Sequence, residues 1–328
     1  MGLFFSKGFT PEDLPDLTGK VIIVTGGAGG VGFALVVHLA RRGAKVYVAA
    51  RSEDSPEEAI QRQYAAGLGN GKGQIVWLPL DLADPRVAKK SAEEFMRKEE
   101  RLDVLINCAA IIICPYVKSH DGIQDVVMVN YIGHNVFTRT LMPVLKRTAS
   151  EPNSDVRIVC VSSDGYDAVR HPVQFKSIED FNLEYKDNVF PWPSLQRYCY
   201  SKLLVMFYAS ELQRRLDEEG VPIIVLTTHP GVIHSDGVKK WLASLKPGLI
   251  TTCVHYLVSR FATLPTQGAY STAFAAAAPE VRVEPRKYRG GYICPPGKLT
   301  AVTPVARNPV AAKEMWELTE RFLSDIGV

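Results

Sequence analysis

Residues 21–40, VIIVTGGAGGVGFALVVHLA, constrain this chain more than any other stretch. Hydropathy alone would pass them as a membrane span, yet five glycines lie in the middle, where they would break a membrane helix. The segment resolves instead into a strand-length run, Val21–Val24, a glycine-rich turn, and a helical repeat, Val31–Leu39. Such a turn offers backbone N–H groups and a helix dipole to a dinucleotide pyrophosphate, and glycine is needed because a Cβ would block the approach. Two registers are legible, Gly26-x-x-x-Gly30-x-Gly32 and Gly27-x-Gly29-x-x-Gly32. Taken alone, either also fits a simple tight turn.

The rest of the chain repeats the strand-then-helix alternation: Val46–Ala49 with Glu57–Ala66, Ile75–Leu80 with Val87–Met96, and Val104–Ile106 with the long segment Val126–Leu145. Arg157–Val161, the helical Gln196–Leu216, Ile223–Thr227 and a last strand near Tyr292–Cys294 continue it. Repeated βα units predict an α/β fold with a doubly wound parallel sheet. Ser55-Pro56-Glu57-Glu58 reads as a capped helix start, Asp84-Pro85 opens the next helix, and Gly43 and Gly220 sit where helices stop. We expect an arm over residues 1–18 and one domain over 19–328, with a C-terminal extension. Two stretches break the alternation, Ser163 to Tyr198 and Asp236 to Thr266; the second, apolar one is expected to form a helical substrate lid over about 236–266.

With 38 basic and 35 acidic residues, the totals suggest neither a nucleic-acid stripe nor an acidic partner surface, so a small molecule is the expected partner. The six cysteines show no C-x-x-C pair, which argues against a disulfide scaffold and structural zinc; no metal site is expected. No secretory signal is visible, and a cytoplasmic location is expected without stable membrane insertion. Met1-Gly2 with Ser6 fits the spacing of an N-myristoylation signal, although an arm that packs Leu3, Phe4 and Phe5 on the domain is the favoured reading of those residues.

The second strand ends Ala49-Ala50-Arg51-Ser52. NAD enzymes of this topology use an acidic group there, whereas a guanidinium suits a 2′-phosphate, so Arg51 and Ser52 point to NADP. Tyr198-Cys199-Tyr200-Ser201-Lys202 lies in a helical stretch, and its i, i+4 spacing brings the Tyr198 phenol and the Lys202 ammonium to one face. A phenol is a poor acid or base near neutral pH, and a neighbouring cation favours its ionised form.

Together these residues resemble the short-chain dehydrogenase/reductase family over about residues 19–235. The shared features are Thr25-Gly26-x-x-x-Gly30-x-Gly32, Asp81-Leu82, Val129-Asn130-Tyr131-Ile132-Gly133, Ser162-Ser163, Tyr198-x-x-x-Lys202 and His229-Pro230-Gly231-Val232, in that order. The resemblance implies a Rossmann fold with Asn130, Ser163, Tyr198 and Lys202 as the catalytic set. Tyr198 would exchange a proton with the substrate oxygen, Lys202 would lower the phenol pKa and hold the cofactor ribose, Ser163 would bind the reacting oxygen, and Asn130 would support a water-linked relay. Ser163 is preferred to Ser162, because strand alternation turns the two in opposite directions and the resemblance implies the second of the pair.

Cofactor contacts are expected at Gly26, Gly30, Val31, Gly32, Arg51, Ser52, Asp81, Leu82, Asn107, Tyr198, Lys202, Pro230, Gly231, Val232 and Ser235. Asn107-Cys108-Ala109-Ala110 departs from the usual Asn-Asn-Ala-Gly, and Ser235 stands where a threonine is common. The long spacing from Ser163 to Tyr198, with Phe181-Asn182-Leu183 inside it, is similar to the retinol-dehydrogenase-like branch and the fungal enzymes near it. That branch implies NADP, apolar alcohols, ketones or aldehydes, possible roles in secondary metabolism, and homodimers or homotetramers. A carbon–carbon double-bond reductase and a catalytically silent NADP-sensing protein are the competing readings.

Overall fold

The computed structural model describes residues 8–51, 55–68, 73–186, 192–233 and 262–328, together with Leu242 and Thr252. Ser52, Ser235, the acylation candidate Gly2 and most of the expected lid therefore lie outside the described residues.

Eight strands form one sheet in the order β3-β2-β1-β4-β5-β6-β7-β8. They are β1 (Val21–Thr25), β2 (Lys45–Ala50), β3 (Gln74–Pro79), β4 (Val104–Asn107), β5 (Val156–Val161), β6 (Ile223–Thr228), β7 (Tyr292–Cys294) and β8 (Lys298–Thr300). All neighbours pair in parallel except β7 with β8. The inner strands β1, β4, β5 and β6 are buried at every position, because helices cover both faces of a parallel sheet.

The helices are α1 (Gly30–Arg41), α2 (Pro56–Ala65), α3 (Pro85–Lys98), α4 (Asp125–Val127), α5 (Gly133–Ala149), α6 (Pro193–Glu218), α7 (Pro265–Ala277), α8 (Pro279–Val283), α9 (Pro285–Tyr288) and α10 (Pro309–Asp325). Strand alternation divides the core. Val21 and Ile23 of β1 face the layer of α3, α5, α6 and α10, whereas Ile22 and Val24 face α1 and α7. The strand order reverses beside β1 and β4, the switch point where open α/β sheets bind ligands beyond their strand ends.

Local chemistry sets the element ends. Asp84 caps α3 by accepting from Arg86 N at 2.8 Å. Ser55 precedes Pro56 at the start of α2, but no side-chain cap bond forms there, so the expected capping box is corrected to a bare proline start. Arg157 is buried on β5 and donates to the carbonyls of Ala275 and Ala278, satisfying the end of α7.

Several features depart from the sequence expectation. Val126–Leu145 is not one helix, since a π-helical turn, Met128–Ile132, separates α4 from α5. The sheet does not close at Tyr292–Cys294, because β8 returns antiparallel as an edge strand. The arm is not separate beyond residue 8: Leu14 and Leu17 are buried, and Phe9 meets Phe274 edge-on at 5.2 Å. As expected of one domain, the C-terminal portion joins the same fold, with α10 packed on α6. Among the described residues, no helix is long and apolar enough to cross a membrane.

Candidate active site

Those of the expected cofactor residues that are described gather along the carboxyl edge of the sheet. Gly26 has φ of 68°, and a Cβ there would stand 2.9 Å from Ala109 Cα. A Cβ at Gly32 would fall 2.3 Å from the Gly26 carbonyl oxygen, so the turn can close onto α1 only without one. Gly29 and Gly30 face open space instead, leaving the approach to the amino end of α1 clear beside Val31. This is a cradle suited to a pyrophosphate, and it fits a dinucleotide.

At the next two strand ends, Arg51 and Asp81 line one open cleft of about 300 Å³ with Lys90, Ser91 and Glu94. The Asp81 carboxylate accepts from Ala83 N at 2.9 Å, which fixes its turn. Leu82 is buried, and Gly133 lets α5 pass against it, since a Cβ at Gly133 would lie 2.3 Å from the Leu82 carbonyl oxygen. Asn107 ends β4 with its amide turned inward, Nδ2 donating to Thr138 Oγ1 at 3.0 Å. Pro230, Gly231 and Val232 follow β6. Gly231 takes φ of 85°, and the Val232 carbonyl accepts from Thr263 N at 2.8 Å, which brings the described residues on either side of 234–261 together.

The reactive groups converge between β5 and α6. Ser162 is buried and donates to the Lys202 carbonyl at 3.1 Å, whereas Ser163 turns the other way, its Oγ accepting from Gly165 N at 3.1 Å and donating to Asp164 Oδ1 at 3.3 Å on the side of the Tyr198 phenol. Lys202 Nζ donates to the Val161 carbonyl at 2.9 Å and stands 5.5 Å from the centre of the Tyr198 ring. Burial lowers Lys202 to about 8, with the Cys108 and Cys160 thiols opposing it. Burial also raises the Tyr198 phenol above its ordinary value, with the neighbouring Ser163 hydroxyl opposing it. In the protein alone, desolvation of the phenol therefore outweighs the effect of the nearby ammonium expected from the sequence. Tyr198 is held as a protonated acid.

Asn130 lies in the π turn with both side-chain atoms engaged. Oδ1 accepts from Ile111 N at 2.9 Å, while Nδ2 donates to the Ile111 carbonyl and to Ser201 Oγ, each at 2.9 Å. Its side chain thus ties the segment after β4 to the catalytic helix. Cys199 is buried, and its thiol is pushed up to about 12, mainly by desolvation, which leaves it a packing residue.

The described part of the long connection between Ser163 and Tyr198 forms a wall against the segment before α4. Asn182 Oδ1 accepts from Gln124 N and its Nδ2 donates to the Gly122 carbonyl, both at 2.9 Å. Arg197 donates to the carbonyls of Glu184 and Cys114.

Residues 20–170 match the family described as short chain dehydrogenase. A short-chain dehydrogenase/reductase of Armillaria gallica is 42% identical to this chain, covering 95% of each protein. The chain is a short-chain dehydrogenase/reductase. Human retinol dehydrogenase 14 is 32% identical, over 92% of this enzyme and 85% of the relative, which extends the likeness to the retinol-dehydrogenase-like branch. Among solved structures, an uncharacterized protein from Mycobacterium paratuberculosis superposes with a TM-score of 0.68 at 27% identity, covering 97% of this short-chain dehydrogenase/reductase and 98% of that chain.

Sequence reasoning placed Thr25 in the glycine-loop motif without a role and missed His134, which meets it behind that loop. His229, named in the sequence only as part of a motif, has Nδ1 accepting from Asp164 N at 3.3 Å beside Ser163. The i+4 spacing of His134 from Asn130 was the one available signal, and it says nothing until the π turn is known.

Proposed function

We propose that this enzyme is an NADP(H)-dependent oxidoreductase that interconverts an apolar alcohol with its ketone or aldehyde. The observation that carries the reading is the Tyr198 phenol placed beside Ser163, with Lys202 Nζ 5.5 Å from the centre of its ring. When bound, the nicotinamide cofactor supplies or accepts a hydride. In the reducing direction Ser163 Oγ and Tyr198 Oη together hold the substrate oxygen, and Tyr198 Oη delivers the proton that completes the alcohol. Lys202, charged below about pH 8, stabilises the phenolate left behind.

The glycine cradle would hold the pyrophosphate, and the cleft with Arg51 and Asp81 would hold the adenosine end, Arg51 pairing with a 2′-phosphate. The name of human retinol dehydrogenase 14, together with the largely apolar residues of the lid region in the sequence, supports an apolar substrate.

Two variants test this. Tyr198→Phe removes the proton donor and should lower carbonyl turnover with NADPH by about 10²–10⁴-fold; unchanged turnover sinks the assignment. Arg51→Asp should weaken NADPH far more than NADH in a fluorescence titration. Equal losses for both cofactors would show that Arg51 does not read the phosphate.

A further inference from the structure

Behind the glycine loop runs a chain of buried hydrogen bonds that the catalytic groups do not account for. Thr25 Oγ1, at the end of β1, accepts from Cys108 N at 2.8 Å and from Ala109 N at 2.9 Å. With both lone pairs taken, the hydroxyl has only its proton left to offer to His134 Nε2 at 2.9 Å. His134 Nε2 is therefore the acceptor, and the ring proton sits on Nδ1, which faces the Asn130 carbonyl at 3.3 Å. From Asn130 the chain continues through Nδ2 to Ser201 Oγ at 2.9 Å, and Ser201 Oγ donates to the Tyr198 carbonyl at 2.7 Å.

The two ends of this chain matter to the reaction. Ala109 lies directly under the glycine turn, at the distance that forbids a Cβ on Gly26. Tyr198 carries the transferred proton. We propose that His134 is a positioning residue: a neutral imidazole in the Nδ1–H tautomer that holds the floor of the cofactor site and the backbone of Tyr198 in fixed register.

Neutrality is built in. Burial, and next the Lys202 ammonium, lower His134 to about 3, so the ring keeps one acceptor and one donor throughout the working pH range. Space is limited as well, because the adjoining cavity, lined by Asn107, Asn130, His134 and Tyr208 among others, measures about 10 Å³. That is room for no more than one water molecule, too little for the ring to turn over.

The proposal rests on the oxidoreductase reading for its consequence in turnover, but not for its geometry. Two substitutions divide the ring in half. His134→Asn retains a donor where Nδ1 stands and loses the acceptor for Thr25. His134→Gln can place an acceptor near Nε2 and loses the donor to Asn130. Asparagine should therefore preserve kcat within about threefold while weakening NADPH by about tenfold, and glutamine should show the reverse, each loss being that of one buried hydrogen bond. Parallel losses of kcat and NADPH affinity that track a fall in melting temperature would reduce His134 to a packing residue and overturn the proposal, as would two variants that behave like wild type.

The third arm needs no variant to fold perfectly and no turnover. Nitrogen-15 spectra of histidine-labelled wild type, with the His134 signal identified by its loss in either variant, should show Nδ1 protonated and unchanged between pH 5 and 8. An Nε2–H tautomer, or titration within that range, overturns the proposal. Wild-type protein that binds NADPH yet turns over no carbonyl defeats the oxidoreductase reading alone; the tautomer and the affinity split still decide His134.

Discussion

Lys202 is where burial and charge oppose each other most directly. The proposed reaction needs its ammonium beside the Tyr198 ring, yet desolvation lowers it to about 8, so the charged form is lost as pH rises through that value. For carbonyl reduction, kcat/KM should hold below pH 8 and fall above it, because the free enzyme then lacks the cation that stabilises the phenolate. Lys202→Arg keeps a charge at all working pH values and should abolish that alkaline limb, even if the different head group lowers the plateau. A limb that stays in place would belong to another group. The glycine turn allows an equally sharp comparison. Gly32→Ala places a Cβ 2.3 Å from the Gly26 carbonyl oxygen and should weaken NADPH at least tenfold with a clear fall in melting temperature. Gly29→Ala meets nothing within 4 Å, and its φ of −153° is open to any residue, so stability should change by less than about 0.5 kcal/mol.

Among the elements, the wall between Ser163 and α6 depends on Asn182. Removing its side chain in Asn182→Ala leaves the buried Gln124 N–H and Gly122 carbonyl without a partner, a loss of about 2–3 kcal/mol readable by urea denaturation. The same change should raise KM for an apolar carbonyl and leave the NADPH dissociation constant within about twofold, since the cradle is built from other elements. An unchanged KM would show that the wall does not border the substrate. The sequence made the βα units legible because each is a local pattern of apolar runs, turns and caps. The π turn was hidden because amphipathy runs unbroken across Val126–Leu145. Helix α7 was hidden for the opposite reason: Gly268, Ala269 and Ser271–Ala277 are buried, so no polar face marks a period. Site residues divide in the same way. Ser163, Tyr198 and Lys202 stand in short recognisable spacings, whereas Thr25 and His134 meet across 109 positions and Gln124 and Asn182 across 58, which no local pattern reports.

At the scale of the whole molecule, the C-terminal helix α10 is what completes the layer behind the active site. Trp316 stacks on Tyr208, with ring centres 5.8 Å apart and planes 8° from parallel, and the Arg215 guanidinium covers its ring at 4.6 Å. Nearby, Tyr131 and Thr319 share a buried hydrogen bond of 2.7 Å. Tyr131 and Tyr208 in turn line the small cavity beside Asn130 and His134, so α10 supports the reactive helix α6 from the side away from the cofactor cradle. Trp316→Ala should therefore destabilise the enzyme by roughly 2–4 kcal/mol, from lost apolar area, the ring stack and the cation–π contact together. Val310→Ala, at a side chain 64% exposed on the same helix, should cost no more than about 0.5 kcal/mol. Denaturation followed by far-ultraviolet circular dichroism separates the two without relying on tryptophan emission. Well below the melting temperature, the Trp316 variant should still bind NADPH as the wild type does, because no cradle residue touches it. Lost stability with intact affinity would place α10 as a support of the α6 layer, whereas an equal loss of affinity would mean that the cofactor cradle and the C-terminal helix unfold as one unit.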